Sequence, residues 1–302
     1  MFALVHHREY VAPLPAGNSF PMSKYGLLIP ALAELGVEYE LHMPAPMPRR
    51  AIEAVHDPVY VAAVFDGALT PEQTRRIGFP VTPEVVARSR RVMGGTYLAA
   101  RLALSQGFAV NSAGGSHHAL ADAGAGYCVF NDLAVAAQRL LSESHVERLM
   151  IVDLDVHQGD GSAAILAART DAITFSMHAA KNFPVRKTRS TRDVELPDGT
   201  EDSEYLAVLA NELPPLLDHY RPQLVLYQSG VDPHVDDRLG RLALSDAGLA
   251  ARDHFVVRAC TDRDVPIATT LGGGYGNDVG AVAMRHARSI KAAADAFGLV
   301  AA

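Results

Sequence analysis

Short apolar segments of strand length recur along this 302-residue chain, separated by longer segments with helical spacing. The seven apolar segments are FALVHH at Phe2, YELHM at Tyr39, FAVNSAGG at Phe108, LMIVDLD at Leu149, AITFSMH at Ala172, LVLYQSG at Leu224 and PIATTLGGG at Pro266. Their continuous apolar character is typical of strands buried on both faces of a parallel sheet. Strands that alternate with helices are joined by right-handed crossovers. We therefore expect residues 1–302 to form one α/β domain, with an open, mostly parallel β-sheet flanked by helices on both faces.

Five of the intervening segments have helical spacing. The clearest begins at Thr82, a capping residue followed by the first-turn proline Pro83, and stops near Gly107. The other four cover approximately residues 131–143, 201–220, 245–262 and 278–297. A closed barrel would also alternate strands with helices, but its repeats would be evenly sized, and these segments are not. This difference favours the open sheet.

The composition restricts the class of protein and of partner. Hydrophobic residues make up 49% of the chain and charged residues 20%, which argues against a disordered or fibrous protein. The formal net charge is −7 without a dense basic segment, so we expect no nucleic acid or membrane partner and favour a small or cationic ligand. Cys128 and Cys260 fit neither a disulfide framework nor a zinc ribbon. With no secretion signal pattern and no apolar run approaching about 18 residues, we expect a cytoplasmic protein.

The central apolar segments end in glycine or in polar residues of the types that bind metals. These endings are GGSHH, DLDVHQGD, SMH, SGVD and LGGGY. In open parallel sheets, ligands bind outside the carboxyl ends of the strands, where the loops and helix N-termini converge. We therefore expect five separate segments to bring polar groups to one cleft.

A metal site is the best interpretation of two of these endings. Asp153, Asp155 and His157 alternate along one strand end, so their side chains project to the same side. Taken alone, they are equally well explained as a helix cap and a buried histidine, and Asp232 as another cap. Together, two carboxylates and one imidazole match a catalytic zinc site, which keeps a position open for water. We expect Asp155, His157 and Asp232 to be the ligands, and Asp153 to lie deeper, bound to backbone or a monovalent cation.

Adjacent histidines in GGSHH suggest proton transfer. His117 and His118 follow two glycines, and only a loop would let neighbouring side chains share one role. An isolated pair of this kind is usually surface or core filler, but beside a metal cleft the pair suits a general base and a general acid. Each histidine needs a carboxylate to orient it. Asp153 and Asp160 are the candidates, and the spacing does not assign either to a particular histidine.

The segment LGGGYGND supplies a candidate electrophile. Its glycines let the backbone pass close to a ligand, and the phenol of Tyr275 can donate to a developing oxyanion. A phosphate-binding loop fits poorly, because Asn277 breaks the G-x-G-x-x-G pattern. A tyrosine that only packs after the glycines is the simpler alternative.

Considered together, the motifs GGSHHA, GYCVFNDLAVA, VDLDVHQGDG, SGVDPHVDDRLG and LGGGY resemble, in order and over most of the chain, the histone deacetylase family of zinc amidohydrolases. The stretch SFPMSKYGLL is similar to the shorter class IV-like and bacterial members. The resemblance implies the arginase–deacetylase fold and one zinc, with iron(II) suited to the same ligands. The implied roles are metal binding by Asp155, His157 and Asp232, proton transfer by His117 and His118 backed by Asp153 and Asp160, and carbonyl polarisation by Tyr275.

The resemblance also implies two neighbouring sites. A potassium ion would be bound by Asp153, Asp155, His157, Ser176 and Met177. An acyl-lysine channel would be lined by Gly126, Tyr127, Gly273 and Gly274. The same fold includes two-manganese arginases, which need a D-x-H-x-D run, but here the second carboxylate, Asp160, comes one position late.

The expected reaction is removal of an acetyl or longer acyl group from an N-acyl-lysine side chain of a protein or peptide. The alternative within enzymes is a deacetylase of acetylated polyamines or of another small N-acyl amine. A non-catalytic acyl-ligand sensor would lack a ligand, histidine or tyrosine, and this sequence has them all. The segment RKTRSTR, residues 186–192, is expected to be a solvated loop, or else to shape the rim of the site. The sequence leaves acyl-chain length and oligomeric state open.

Overall fold

Eight parallel strands form one sheet in the computed structural model, which describes residues 1–298 of the chain. The strands are β1 (Phe2–Val5), β2 (Tyr39–His42), β3 (Phe108–Asn111), β4 (Leu149–Asp153), β5 (Ala172–Ala179), β6 (Arg192–Leu196), β7 (Val225–Gln228) and β8 (Ile267–Thr270). Their order across the sheet is β2-β1-β3-β8-β7-β4-β5-β6. This arrangement confirms the expected open parallel sheet.

Each of the seven apolar segments contains one of these strands, and β6 is the one strand of the eight that the apolar pattern does not predict. This strand pairs with β5 at the edge of the sheet and has the sequence RDVEL. An edge strand buries one side at most, so it lacks the continuous apolar character of the central strands. The predicted loop at residues 186–192 is therefore too long by one residue, because Arg192 already belongs to β6.

Ten helices pack around the sheet within residues 1–298, in addition to a short 3-10 helix at Arg8–Tyr10. They are α1 (Lys24–Glu34), α2 (Arg49–Glu53), α3 (Pro58–Phe65), α4 (Pro71–Ile77), α5 (Pro83–Gln106), α6 (Asp132–Ser142), α7 (Asp160–Leu166), α8 (Asp202–Tyr220), α9 (Asp246–Thr261) and α10 (Val279–Ala296). The five predicted helices correspond to α5, α6, α8, α9 and α10. Thr82 caps α5 as expected, because its side chain accepts a hydrogen bond from Val85 N.

Helices cover both faces of the sheet, because alternate residues of one strand pack into two different apolar clusters. In β1, Phe2 and Leu4 belong to one apolar cluster, whereas Ala3 and Val5 belong to another. The first cluster includes residues of α1, α8, α9 and α10, and the second includes residues of α6 and the second half of α5. Because neighbouring strand residues point to opposite faces, the two clusters are the two layers of the core. No helix among residues 1–298 is both long and apolar enough to cross a bilayer.

A matched pair of leucines tests the assignment of core and edge. Leu226 in β7 is fully buried, whereas Leu41 in the edge strand β2 is 55% exposed. We expect Leu226→Ala to lower the free energy of unfolding by about 2–5 kcal/mol, because it removes buried methyl groups and leaves a cavity. The control Leu41→Ala should change it by less than about 0.5 kcal/mol. Urea unfolding of both variants measures the difference, and equal losses would contradict the assignment.

Candidate functional site

The carboxyl ends of adjacent strands bring the expected motifs together. In the order β3-β8-β7-β4, the strands are followed by GGSHH, LGGGY, SGVD and the DVH of LMIVDLDVH. The fifth motif, SMH, lies inside the next strand, because β5 continues to Ala179. All four strand-end motifs therefore meet at one edge of the sheet.

Asp155, His157 and Asp232 form a buried cluster at this edge. One ligand atom of each lies within 4.8 Å of the others. His157 Nδ1 is 3.0 Å from Asp155 Oδ1 and 3.2 Å from Asp232 Oδ2. Two carboxylates and an imidazole that converge in this way match the donors of a three-ligand metal site.

Neighbouring groups hold both carboxylates in place. Asp155 Oδ2 accepts hydrogen bonds from Gln228 Nε2 at 2.7 Å and from Gly273 N at 2.8 Å. Asp232 Oδ1 accepts from Val156 N at 2.9 Å. A Cβ atom on Gly273 would lie 1.9 Å from Asp232 Oδ2, so only glycine fits there. The third glycine of the same motif, Gly274, faces away from the cluster toward His286 and Val231.

The charges of the cluster favour a cation. Burial and the nearby Asp155 carboxylate raise the pKa of Asp232 to about 7. Burial alone would lower the pKa of His157, but Asp155 and Asp232 outweigh it and raise that pKa to about 10. The negative charges of these two buried carboxylates lie close together, and a divalent cation bound between them would compensate both. The donor set therefore fits the metal that the sequence predicts.

Each histidine of the adjacent pair is held by its own carboxylate. His117 Nδ1 lies 2.7 Å from Asp153 Oδ2, and His118 Nδ1 lies 2.7 Å from Asp160 Oδ1. The ring centroids of the two histidines are 4.1 Å apart, and His117 Nε2 lies 3.8 Å from Asp155 Oδ1. Because Nδ1 is occupied in both rings, Nε2 is the atom left to exchange a proton. The structure thus answers the question of pairing that the spacing left open.

The two histidines differ in basicity. Burial alone would lower the pKa of His117, but the Asp153 and Asp155 carboxylates outweigh it and raise that pKa to about 9. Burial, followed by the influence of His117, lowers the pKa of His118 to about 4. Two rings with divergent proton affinity are typical of an acid–base pair.

Tyr275 faces the cluster across the pocket. Its ring centroid lies 6.4 Å from that of His157, and its backbone N donates to Asp237 Oδ2 at 2.6 Å. Burial and the charges of Asp155 and Asp232 hold the pKa of its phenol well above the ordinary value. The phenol therefore keeps its proton and remains a hydrogen-bond donor.

A buried lysine from the amino-terminal part of the chain supports the glycine segment before Tyr275. Lys24, at the start of α1, is 1% exposed, and its Nζ donates to Gly272 O at 3.0 Å and to Gly274 O at 3.4 Å. The same Nζ lies 5.5 Å from the centroid of the Tyr275 ring. These contacts fix the loop that carries the phenol.

The predicted channel residues Gly126 and Tyr127 form one wall of a pocket that opens above the cluster. The pocket is narrow and is also lined by His117, His118, Gly273 and Tyr275. Tyr127 has φ of 66°, a conformation that non-glycine residues adopt at a cost and that often occurs at functional sites. Its ring lies 5.6 Å from the ring of Tyr275, centroid to centroid.

Sequence reasoning missed the aromatic residues Phe20 and Tyr25 in the wall of this pocket, and Phe183 beside His118. The Phe183 ring meets His118 edge to face, with centroids 4.8 Å apart, opposite the Gly126 turn. The Phe20 ring lies 5.1 Å from that of Tyr127. Phe183 belongs to a loop without periodicity, and its only signal is an aromatic residue followed by proline after a strand.

The residues of the predicted potassium site occupy neighbouring positions. Ser176 of β5 is in register with Asp153 of β4, and Met177 follows it in the buried strand. The Ser176 hydroxyl lies 2.9 Å from His178 Nδ1. The site itself remains a prediction.

Another missed residue is Arg252, a fully buried arginine of α9. It donates to Leu154 O at 3.3 Å, to Ser229 O at 3.3 Å and to Gly230 O at 2.6 Å. Leu154 precedes Asp155, and Gly230 lies two residues before Asp232. One guanidinium group therefore ties together the two loops that carry the cluster.

Asp253 neutralises this buried arginine. Its Oδ1 lies 2.8 Å from Arg252 Nη2 and accepts from the Tyr227 hydroxyl at 2.5 Å, while its other oxygen accepts from Ser289. Because every member of the network has partners, the arginine can remain charged in the core.

Known proteins resemble the chain over most of its length. The Histone deacetylase domain matches residues 19–290. Histone deacetylase 2 of Arabidopsis thaliana is 31% identical over 85% of this chain and 70% of its own length. An uncharacterized protein of Picosynechococcus sp. is 44% identical over 98% of this chain and 99% of its own.

The chain belongs to the histone deacetylase family. This membership confirms the resemblance stated from the motifs and the expectation of a deacetylase-type hydrolase. Acetylpolyamine aminohydrolase from Burkholderia pseudomallei has a similar structure, with a TM-score of 0.80 at 18% identity, over 97% of this chain and 99% of its own. That likeness confirms the predicted fold.

Loss of a cluster residue tests whether the cluster of this histone deacetylase family member binds a metal. We expect purified His157→Ala to contain less than about a tenth of the zinc of the wild type, because the cluster loses one of three ligands. The control His254→Ala changes an exposed histidine of α9 and should retain the metal. Elemental analysis after exposure to zinc and desalting measures both, and a fully loaded His157→Ala would show that another residue set binds the ion.

Arg252→Lys should weaken metal binding without removing any ligand. Lysine keeps the positive charge beside Asp253 but cannot reach both loops, so we expect about 10–100-fold weaker zinc affinity. The matched control Arg258→Lys lies on the exposed side of the same helix and should leave affinity unchanged. Competition with a chromogenic chelator gives the affinities, and urea unfolding identifies a variant that has simply lost its fold. An unchanged zinc affinity in folded Arg252→Lys would exclude the positioning role.

Proposed function

We propose that this protein is a zinc-dependent amidohydrolase that removes an acetyl or longer acyl group from the side chain of an N-acyl-lysine. The observation that supports this most directly is the convergence of the Asp155–His157–Asp232 cluster, the His117–His118 pair and Tyr275 on one pocket. These parts come from the ends of four strands, β4 and β7 for the cluster, β3 for the histidines and β8 for Tyr275, and each part offers a different chemical function.

Asp155, His157 and Asp232 would hold the zinc ion, with iron(II) as the alternative metal for the same donors. When bound, the metal supplies positive charge that makes a water molecule more acidic and an amide carbonyl more electrophilic. Asp153, Asp155, His157, Ser176 and Met177 would hold the proposed potassium ion beside it.

The paired histidines would move the protons. A histidine Nε2 takes a proton from the attacking water, and a histidine returns one to the leaving amine. Asp153 and Asp160 orient the two rings through Nδ1, which fixes Nε2 toward the reacting groups. Which of His117 and His118 is the general base and which is the general acid is left open in this proposal.

Tyr275 would stabilise the transition state. Its O–H donates a hydrogen bond to the oxyanion that develops on the carbonyl oxygen of the substrate. Lys24 fixes the glycines before the phenol and Asp237 fixes the backbone N–H of Tyr275 itself, so little reorganisation is needed as the charge forms. This hydrogen bond is stronger to the charged oxygen of the transition state than to the neutral carbonyl of the substrate, and that difference is what accelerates a reaction.

The shape of the pocket favours a narrow aliphatic amine such as lysine. The rings of Tyr127 and Phe183 stand at the Gly126 turn and beside His118, where an extended methylene chain would pass between apolar surfaces. A deacetylase of acetylated polyamines, or of another small N-acyl amine, is the alternative that the same features allow. A non-catalytic acyl sensor is disfavoured, because it has no need for a metal cluster, a proton-transfer pair and a phenol together.

The buried, unpaired thiols of Cys128 and Cys260 favour a reducing compartment such as the cytoplasm.

Tyr275→Phe tests the function and the electrophile together. Zinc-loaded wild-type protein should hydrolyse an acetyl-lysine peptide, and the variant should do so about 10²–10³ times more slowly, because it lacks the donor to the oxyanion. Its zinc content should stay unchanged. The matched control Tyr220→Phe lies at the end of α8, far from the pocket, and should keep full activity.

Three results would contradict the proposal in different ways. Wild-type turnover in Tyr275→Phe would mean that the electrophile is another group. Activity that survives complete removal of metal by a chelator would exclude the metal-dependent reaction. Failure of the zinc-loaded wild type to hydrolyse acetylated or longer acylated lysine peptides, with turnover of acetylated polyamines, would favour the alternative substrate.

A further inference from the structure

The loop between β5 and β6 is strongly basic although the protein as a whole carries a net charge of −7. Residues 181–192, which cover this loop and the first residue of β6, read KNFPVRKTRSTR and include no aspartate or glutamate. Lys181 and Arg192 are paired with Asp198 and Glu212 respectively. Lys187 donates to two backbone carbonyls of the same loop. The remaining cations are the exposed Arg186 and Arg189.

This loop lies at the mouth of the pocket. Phe183, within the loop, contacts the His118 ring. Further along, Thr188 N donates to Gln158 Oε1 at 2.8 Å, and Gln158 Nε2 donates to Thr188 O at 2.5 Å. Gln158 directly follows the cluster residue His157, so the loop contacts the site at two points, Phe183 and Thr188.

Two other segments bring exposed arginines to the same mouth. Arg76 O, at the end of α4, accepts from the backbone N of Gly126 at 3.2 Å. Arg238 N donates to Tyr275 O at 2.9 Å, and its guanidinium donates to Ser19 O. We define Arg76, Arg186, Arg189 and Arg238 as the cationic rim. Three chain segments contribute to it, next to the Gly126 turn, Phe183 and Tyr275.

The acidic side chains around the mouth mostly have partners of their own. Asp160 binds His118, and Asp236 pairs with Arg285. The Asp237 carboxylate accepts from three backbone N–H groups, those of Tyr275, Leu239 and Gly240.

The rim arginines, in contrast, lack acidic partners. Among residues 1–298, no carboxylate lies within 4.0 Å of any arginine of the cationic rim. Positive charge at the mouth is therefore free to act on an approaching molecule.

We propose that the cationic rim selects acyl-lysines that lie in acidic polypeptide segments and disfavours acetylated polyamines. The inference rests on the proposed function and specifies its substrate class. Unpaired charges around a cleft attract oppositely charged ligands and repel like-charged ones, mainly through the rate of association. The exposed side chains of Phe183 (44%) and Val185 (97%) add apolar surface beside the arginines, which suits a polypeptide better than a small cation.

A set of matched substrates tests this selection. The substrates are acetyl-lysine peptides with a common core and acidic, neutral or basic flanks, together with acetylated spermidine. For the zinc-loaded wild type at low salt, kcat/KM should be about tenfold higher for the acidic than for the basic peptide, mostly through KM. The preference should shrink in about 1 M salt, where the screening length falls to about 3 Å.

Reversing the charge of two rim arginines tests whether the cationic rim causes the preference for acidic peptides. Arg186→Glu/Arg189→Glu should lower kcat/KM for the acidic peptide about tenfold and raise it for the basic peptide, with kcat on the neutral peptide unchanged. The control Arg148→Glu/Arg221→Glu makes the same change in net charge at exposed positions near the amino ends of β4 and β7. It should leave the preference as in the wild type.

The outcomes separate this inference from the proposed function. Hydrolysis of all peptides without a charge preference, or a control that behaves like the rim variant, would overturn the inference alone. Faster hydrolysis of acetylated spermidine than of the acidic peptide would also overturn it. Absence of hydrolysis of every N-acyl amine by zinc-loaded protein would overturn the proposed function, and the inference with it.

Discussion

Two carboxylates buried side by side at the ends of β4 and β7 constrain the rest of the structure. Asp155 and Asp232 are almost fully buried and converge on His157, which is unfavourable for negative charges unless they find compensation. The surroundings supply it through backbone N–H groups, the Gln228 amide and the imidazole. The geometry that makes these carboxylates costly to bury also makes them suitable for holding a divalent cation.

Two supports of the site come from helices outside the strands that carry it. Arg252 of α9 links the loops after β4 and β7, whereas Lys24 of α1 fixes the glycines before Tyr275. Both are cations that donate to backbone carbonyls. A packed helix is more rigid than a loop, so these contacts transfer the rigidity of the helical layer to the reacting groups. The chemistry thus depends on residues that would never touch the substrate.

The sequence was sufficient for the central strands and the cluster, because buried strands and motif spacing leave a clear pattern. It was insufficient for features that depend on which distant residues come together in the folded chain. The pairing of His117 with Asp153 depends on how a loop folds, and β6 has the polar sequence of an edge strand. Arg252 resembles a surface residue, since a charged side chain on a helix is usually exposed. Phe183 gave no periodic signal at all.

The order of the strands has a consequence for biosynthesis. β8 is the last strand among residues 1–298, yet it lies in the middle of the sheet between β3 and β7. Until residues 267–270 have left the ribosome, β3 and β7 have facing edges with unpaired N–H and C=O groups. Because β8 pairs with both β3 and β7, the two parts of the sheet can be joined, and the LGGGY segment positioned, only after residues 267–275 have been synthesised.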